Sequence, residues 1–376
     1  GHAYYGGDSR AVTNELVDVI SITSTTKAFA ALKANGNVTT WGKANYGADS
    51  SSLREELVNV KGITASAGAF AAIRRDGSVV TWGNAEYGGD SSVVAEQLIN
   101  VKSISTNAKA FAAIKVDGTV VTWGVSDYGG DNNIIVENLT LVESISSTAS
   151  AFAAIKVDGT VVTWGQADAG GDSSLITAEL TNVQSIQSTL KAFSAIKEDG
   201  SVVTWGHSDF GGDSSEVTEN LNNVVNIIPN LHSFAAITRE GDVVTWGDGE
   251  NGGDSSIVIN SLTNVENIVA ADYAFAAIKT DGSVVSWGNQ RYGGDSNSVA
   301  EDLTNIQNIV AAADAFSAIK ENGNVITWGL DSLGGDSSLV TESLINVQRI
   351  ISTGAAFAAM RTDGSVITWG SYTSGG

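Results

Sequence analysis

The sequence predicts an all-β protein assembled from nine copies of one 41-residue unit. Three observations support this prediction: a fixed interval, a strand–turn–strand pattern in every copy, and apolar residues on both faces of the predicted sheet. All nine tryptophans follow one another at intervals of 41 residues, without an insertion or a deletion. They are Trp41, Trp82, Trp123, Trp164, Trp205, Trp246, Trp287, Trp328 and Trp369. Self-similarity at a fixed period of about 20–50 residues is typical of propellers, solenoids and other repeat arrays.

The unit that runs from Gly83 to Trp123 shows the order of the predicted elements. It opens with GNAEYGGDSS, a stretch rich in turn-forming residues. VVAEQLIN follows, as either a short helical turn or a weak outer strand. VKSIST, AFAAIK and TVVTW then predict three strands, because β-branched and aromatic residues favour strands. Asp117-Gly118 joins the second strand to the third, and Asp-Gly is typical of a two-residue type I′ hairpin turn.

Both faces of the predicted hairpin are apolar. Side chains alternate along a strand, so Phe111 and Ala113 point one way while Ala112 and Ile114 point the other. A sheet with two apolar faces has to be covered on both sides. Each unit is therefore expected to pack on the unit before it and on the unit after it.

The two terminal units suggest that the array closes on itself. A linear stack leaves two apolar ends, which repeat proteins normally cover with polar capping units. Here the first unit, with TKAFAALKANGNVTTWG, and the last, with GAAFAAMRTDGSVITWG, resemble interior units. The prediction is one domain over residues 1–376, a closed β-propeller of nine blades with three strands each and a possible fourth. The alternative is an open β-repeat superhelix.

The repeated motif resembles that of a known family. DGxVxxWGxxxYGG, preceded by AFAAIK, is similar to the repeat of the regulator of chromosome condensation family. The short unit looks more like the compact bacterial-type version found in the β-lactamase inhibitor protein propeller. The resemblance covers all nine units and implies a propeller fold. The family includes exchange factors and inhibitors, so the resemblance does not select one function.

The composition narrows the classes of partner. The chain has 20 basic and 42 acidic residues, a net charge of −22, and no cysteine. Binding to nucleic acid requires clustered basic residues, so no nucleic-acid partner is expected. The longest apolar runs are far shorter than the roughly 20 residues that span a bilayer, so no membrane insertion is expected. We expect a monomer, located outside the cell or at its surface.

The sequence offers no catalytic set of residues and no cofactor motif, so an enzyme is not predicted. The nine tryptophans end apolar strands, which indicates core residues rather than sugar-binding platforms. One aspartate per unit is a weak candidate metal ligand, but a single carboxylate cannot supply the six to eight oxygens that Ca²⁺ takes, and a turn-capping role is preferred. These residues are Asp8, Asp49, Asp90, Asp131, Asp172, Asp213, Asp254, Asp295 and Asp336.

Two segments of each unit vary from copy to copy: the residues that follow WG and those that precede AF. Variable loops on a constant scaffold are typical of binding surfaces, although drift at positions without packing constraints explains the variation equally well. The candidate ligand-binding residues are Lys27, Lys43, Asn45, Asn84, Glu86, Lys191, His207, Ser208, His232, Asp248, Tyr273 and Arg291.

The favoured function is therefore a non-catalytic binding or scaffold module that presents variable loops to a protein or a glycan. One alternative is a purely architectural repeat protein, recently amplified or engineered, that has no ligand. A weaker alternative is a hydrolase that uses loop carboxylates, which requires two acids close together at one rim in a single blade.

Overall fold

The computed structural model describes residues 3–131 and 136–376. Within these residues the chain forms nine three-stranded antiparallel sheets, each with its strands in sequence order. The contacts divide the chain into two compact units, Gly1–Lys191 and Ala192–Gly376, which we call unit 1 and unit 2. The all-β class and the nine repeats are confirmed. No helix in the described part of the chain has the length and apolar character of a membrane span.

The three strands of each sheet recur at the 41-residue period. The first strands are Val19–Ser24, Val60–Ala65, Val101–Thr106, Val142–Ser147, Val183–Ser188, Val224–Pro229, Val265–Ala270, Ile306–Ala311 and Val347–Ser352. The middle strands are Ala28–Lys33, Ala69–Arg74, Ala110–Lys115, Ala151–Lys156, Ala192–Lys197, Ser233–Thr238, Ala274–Lys279, Ala315–Lys320 and Ala356–Arg361. The last strands are Val38–Gly42, Val79–Gly83, Val120–Gly124, Val161–Gly165, Val202–Gly206, Val243–Gly247, Val284–Gly288, Val325–Gly329 and Val366–Gly370.

Short 3-10 helices join the sheets, and the possible fourth strand is absent from the described residues. One set follows the last strands: Ala44–Tyr46, Ala85–Tyr87, Ser126–Tyr128, Ala167–Ala169, Ser208–Phe210, Gly249–Asn251, Gln290–Tyr292, Asp331–Leu333 and Tyr372–Ser374. Ala3–Tyr5 occupies the equivalent position ahead of the first repeat. The other set precedes the first strands: Arg10–Glu15, Ser51–Leu53, Ser92–Gln97, Val136–Asn138, Ser174–Ile176, Thr218–Asn220, Ile259–Ser261, Asn297–Val299 and Thr341–Ser343. VVAEQLIN therefore begins within a short helix, Ser92–Gln97, rather than a strand. The buried Leu98 is the C-cap residue of this helix.

The prediction of a type I′ turn is wrong. Only the glycine of each Asp-Gly pair has a positive φ, which is 77° at Gly118. The Gly118 N–H donates to the Lys115 carbonyl, and the Lys115 N–H donates to that of Thr119. This pattern is a type I turn followed by a glycine bulge, the usual three-residue hairpin loop. The Gly118 carbonyl also accepts the N–H of Val142 in the next repeat, so the turn forms part of the contact between sheets.

Eight of the nine tryptophans are buried core residues, as predicted, and Trp41 is partly exposed. Phe111 and Trp123 stack across neighbouring strands with ring centroids 5.1 Å apart, a favourable distance for an aromatic pair. The Trp123 Nε1–H donates to the carbonyl of Gly88, 35 residues earlier. The same bond recurs in other repeats, for example from Trp82 to Gly47. The indole therefore fills the core and satisfies its polar group within it.

Neighbouring sheets share one core, as the two apolar faces predicted. Ala112 and Ile114 of the third sheet pack with Phe152, Ala154 and Trp164 of the fourth. The equivalent residues of the seventh and eighth sheets form an equivalent cluster. The small alanines allow the sheets to approach closely, because an alanine places only a methyl group between two backbones.

The outer faces of the terminal sheets are less covered than the interior faces. In unit 1, the side chain of Ile22 is 58% exposed, whereas its counterparts Ile63 and Ile104 are partly buried. In unit 2, Val366 is 58% exposed, whereas its counterpart Val325 is buried. A closed ring requires both faces to be covered. Closure of the nine sheets, and with it a single domain over residues 1–376, stays a prediction.

Candidate binding edge

The two variable segments of each repeat lie side by side. The residue before AF sits in a bend ahead of the middle strand, and the residue after WG directly follows the last strand. In unit 1 the Lys43 N–H donates to the Lys27 carbonyl at 2.8 Å. In unit 2 the Asn289 N–H donates to the Tyr273 carbonyl at 2.9 Å. Because middle and last strands are paired, segments about 15 residues apart in sequence meet at one edge of each sheet.

Backbone hydrogen bonds connect the bends of successive repeats. In unit 1 the N–H of Thr26 donates to the carbonyl of Ala67 at 3.0 Å, and the N–H of Ala67 donates to that of Ala108 at 3.2 Å. In unit 2 the N–H of Asp272 donates to the carbonyl of Ala313 at 2.8 Å. This pairing spaces successive bends like neighbouring strands, roughly 5 Å apart. We call the edge formed in each unit by these bends and the adjoining 3-10 helices the bend edge.

Seven of the nine repeats have a polar residue three positions before the middle strand, and Ala271 and Ala312 occupy that position in the other two. In several repeats this polar side chain holds the bend against the 3-10 helix. The Asn107 Oδ1 accepts the N–H of Ala110, while its Nδ2 donates to the carbonyl of Tyr128 at 2.7 Å. Ser66 bonds to Tyr87 in the same manner, and Asn230 to Asn251. These positioning residues were missed from the sequence. A recurring Thr, Ser or Asn at this position was the available signal.

In unit 1 the bend edge carries alternating tyrosines and lysines. The Lys27 Nζ lies 4.7 Å from the ring centre of Tyr46, and the Lys43 Nζ lies 4.6 Å from that of Tyr4. The Lys109 Nζ lies 5.6 Å from the ring of Tyr87. Cations at these distances are attracted by the π-faces. We call this set the tyrosine–lysine ladder: Tyr4, Lys27, Lys43, Tyr46, Tyr87, Lys109 and Tyr128.

In unit 2 the bend edge carries a stack of aromatic rings. The ring of His232 lies between those of Phe210 and Tyr273, at 5.0 and 5.4 Å between centroids. His207 contacts Phe210 edge-on, and Tyr292 contacts Tyr273. Burial in this stack lowers the pKa of His232 from its ordinary value, while the charge of Asp248 raises it to a smaller extent. The neutral imidazole is therefore the favoured form in the folded chain.

Two carboxyl groups in unit 2 have a raised pKa, so their charged forms are less favoured than in water. Burial raises the pKa of Asp272, and the nearby charge of Asp314 raises it further. Burial also raises the pKa of Asp314, although the Arg291 guanidinium lowers it. The Oδ1 atom of Asp314 is buried without a hydrogen-bond partner among the described residues. The aspartates come from adjacent repeats, so they do not form a carboxylate pair within one blade.

The structure brings some of the predicted ligand-binding residues together. Lys27 and Lys43 meet in the tyrosine–lysine ladder, and His207, His232 and Tyr273 meet in the aromatic stack. Arg291 lies over the ring of Tyr292 at 5.7 Å.

Other predicted residues have local roles or remain on the surface. The side chains of Asn84 and Asp248 accept the backbone N–H of Glu86 and Glu250. Lys191 pairs with Asp168 at 3.5 Å, and Asn45 and Ser208 are exposed.

Six aromatic members of the two clusters were missed from the sequence, namely Tyr4, Tyr46, Tyr87, Tyr128, Phe210 and Tyr292. Tyr46, Tyr87 and Tyr128 precede a glycine in the repeated YGG motif and were treated as part of the constant pattern. That position nevertheless varies, since Ala169 and Asn251 occupy it in other repeats. Variation at an aromatic position beside two other variable segments was the signal that could have identified it.

The recurring aspartates act as turn caps. The Oδ1 atom of Asp90 accepts the N–H of Ser92 at 2.9 Å, and this hydrogen bond lowers the pKa of Asp90. Asp8 accepts the backbone N–H of Arg10 in the same way and also binds the Arg10 guanidinium through two side-chain bonds, and these contacts lower the pKa of Asp8 to about 2. The capping bond recurs at Asp49, Asp172, Asp213, Asp254, Asp295 and Asp336. Among the residues described, no three His, Asp or Glu side chains are grouped to hold a metal ion.

An open cleft in unit 2 is lined by carboxylates, including those of Asp213, Glu216, Glu240 and Asp242. The backbone N–H of Ser215 lowers the pKa of Asp213. A glycosidase-type general acid needs a raised pKa instead. Asp213 therefore lacks the raised pKa that a hydrolase would need in its general acid.

The sequence matches no protein-family model and no curated protein. Among solved structures, the chain is similar to Prp20p of Saccharomyces cerevisiae, with 16% identity, a TM-score of 0.38, and coverage of 64% of this chain and 74% of that one. It is also similar to the CRINKLY WD40 ectodomain of the Arabidopsis thaliana receptor kinase ACR4, with 18% identity, a TM-score of 0.38, and coverage of 69% and 90%.

The computationally designed Ika8 protein is a further similar structure, with 14% identity, a TM-score of 0.34, and coverage of 83% of this chain and 96% of that one. Prp20 is the yeast RCC1 protein, which is also among the similar structures in its complex with Kap60. The compact bacterial version of the repeat stays a prediction. These likenesses are too distant to support an argument about function.

Proposed function

We propose that this chain is a non-catalytic binding module that recognises a protein or a glycan through its bend edges. One observation supports the proposal: in each unit, variable side chains from successive repeats contact one another along a single edge. The 41-residue period places equivalent positions of successive repeats in register, and on the bend edges these positions carry rings or cations that contact one another. The paired backbone beneath them provides a rigid support, which reduces the entropic cost of binding.

The proposed location is outside the cell or at its surface, where glycans are displayed. Fractionation of the source cells tests this proposal, because a protein that remains entirely in the cytosolic fraction would contradict it.

The function is tested by incubating the full chain on arrays of glycans and proteins and by assaying it for hydrolysis of the same glycans. We expect saturable binding without turnover. Turnover that a single carboxylate substitution abolishes would overturn the proposal in favour of a hydrolase. A folded chain that binds nothing on either array would overturn it in favour of a purely architectural repeat.

A further inference from the structure

We infer that the tyrosine–lysine ladder of unit 1 binds an acidic glycan, that is, a chain of sugars carrying carboxylate or sulfate groups. This inference rests on the proposed binding function and specifies the ligand for one of the two units. Its chemistry is a row of aromatic faces with ammonium groups between them.

The lysines of the ladder are available to an anion. Lys27, Lys43 and Lys109 have no carboxylate partner within ion-pair distance among the described residues. The carboxylates of Glu86 and Asp127 belong to the same 3-10 helices, but neither pairs with a lysine of the ladder. These three lysines lie on one edge of unit 1, each over a tyrosine ring. The tyrosine faces hold these ammonium groups in place.

The aromatic rings of the ladder are suited to the apolar faces of sugars. Tyr4 is 49% exposed, and Tyr46, Tyr87 and Tyr128 are partly exposed. The ring centres of Tyr46 and Tyr87 lie 6.1 Å apart in successive repeats. Tyrosine offers a flat apolar body and a polar hydroxyl, so a ring can contact the C–H face of a sugar while its hydroxyl contacts an oxygen. The row of rings favours an extended chain over a single sugar.

The backbone of this edge disfavours a peptide. Peptides commonly bind sheet edges by adding a strand, which requires unpaired N–H and carbonyl groups. Here Thr26, Ala67 and Ala108 already pair with one another from repeat to repeat. A peptide would be limited to side-chain contacts, whereas a glycan needs only the rings, hydroxyls and ammonium groups.

The test measures binding of the full chain by calorimetry at about 0.15 M salt, where exposed long-range charge effects are screened. The probes are an alginate oligosaccharide, dextran sulfate, uncharged dextran and poly-glutamate. We expect the alginate oligosaccharide or dextran sulfate to bind, and uncharged dextran and poly-glutamate to bind at least about tenfold more weakly, a difference of about 1.4 kcal/mol. The two anionic probes distinguish a carboxylate from a sulfate as the recognised group.

The variants compare two sets of lysines on unit 1 with the same change of charge. Lys27→Gln, Lys43→Gln and Lys109→Gln together remove the cations of the ladder. Lys33→Gln, Lys115→Gln and Lys156→Gln together remove three cations at the ends of middle strands, next to the hairpin turns. We expect the first triple variant to lose at least about tenfold in affinity for the acidic glycan and the second to change it less than about twofold.

Each outcome bears on a different claim. Equal losses in the two triple variants would overturn the inference, because general charge would then account for the binding. Stronger binding of poly-glutamate would overturn it in favour of an acidic peptide. If neither acidic glycan binds but a protein on the array does so through the bend edge, the inference fails while the proposed function stands.

Discussion

At the residue scale, Gly68 leaves the space that the Tyr87 ring of the tyrosine–lysine ladder occupies. A Cβ at this position would lie 2.8 Å from Cγ of Tyr87, so the ring occupies the space that other repeats give to a side chain. We expect Gly68→Ala to displace the Tyr87 ring and to weaken acidic-glycan binding several-fold. Near-ultraviolet circular dichroism and calorimetry measure the two effects.

Gly62 supplies the control for this substitution. It lies in the first strand of the same repeat, and a Cβ there would meet no atom within 4 Å. Gly62→Ala should leave both the tyrosine signal and the affinity unchanged. A Gly68→Ala variant indistinguishable from Gly62→Ala would show that the position of Tyr87 does not depend on Gly68.

His232 allows a prediction about pH. Its folded pKa is lowered, so below the ordinary value of 6.5 the unfolded chain binds more protons than the folded chain. The stabilising effect of the neutral ring is complete above pH 6.5 and is lost as the pH falls through the folded pKa. We expect an NMR titration to place the pKa of His232 below 6.5.

Tyr273→Ala opens one side of the stack and should move the pKa of His232 back toward its ordinary value, because burial is the main cause of the shift. An unchanged titration in the Tyr273→Ala variant would indicate that stacking on Tyr273 does not bury the imidazole.

At the element scale, the glycine of the hairpin turn has two roles: it adopts a positive φ, and it leaves room for the backbone of the next repeat. Gly118 and Gly364 both have positive φ, at 77° and 82°. A Cβ on Gly118 would lie 2.9 Å from the Cα of Leu141 in the next repeat, whereas a Cβ on Gly364 would meet nothing within 4 Å. We expect Gly364→Ala to cost about 1–2 kcal/mol, the penalty of the left-handed conformation, and Gly118→Ala to cost more. Urea denaturation measures the difference, and equal costs would contradict the role of the turn in packing between repeats.

The same turn shows how far the sequence could predict the elements. The period, the three strands and the buried Trp123 were predictable, because apolar alternation and turn chemistry are local properties. Asp-Gly is compatible with more than one hairpin turn, and the observed one places the Gly118 carbonyl against Val142 of the next repeat. That contact spans 24 residues and has no local signature. The bend edge was predictable as two variable segments, but the ladder was not, because contacts between repeats create it.

At the scale of the whole molecule, closure into a ring is the remaining prediction about the fold. The terminal units resemble interior units, and the faces of Ile22 and Val366 are the apolar surfaces that closure would cover. A compact chain of 376 residues has a radius of gyration of about 21 Å. We expect small-angle scattering of the monomer to give a value near this figure. A markedly larger value would favour the open superhelix.

We propose that constant residues build the scaffold of this protein and that variable residues on the bend edges provide the binding. The most direct test replaces five residues that precede AF with serine, the residue that the fourth repeat has there at Ser150. The five are those that were predicted to bind a ligand or that belong to the tyrosine–lysine ladder. The replaced residues are Lys27, Lys109, Lys191, His232 and Tyr273. We expect the variant to remain folded, because these five side chains are partly exposed and lie outside the buried core, and to lose its binding on the glycan and protein arrays. A folded variant that keeps full binding would contradict the account.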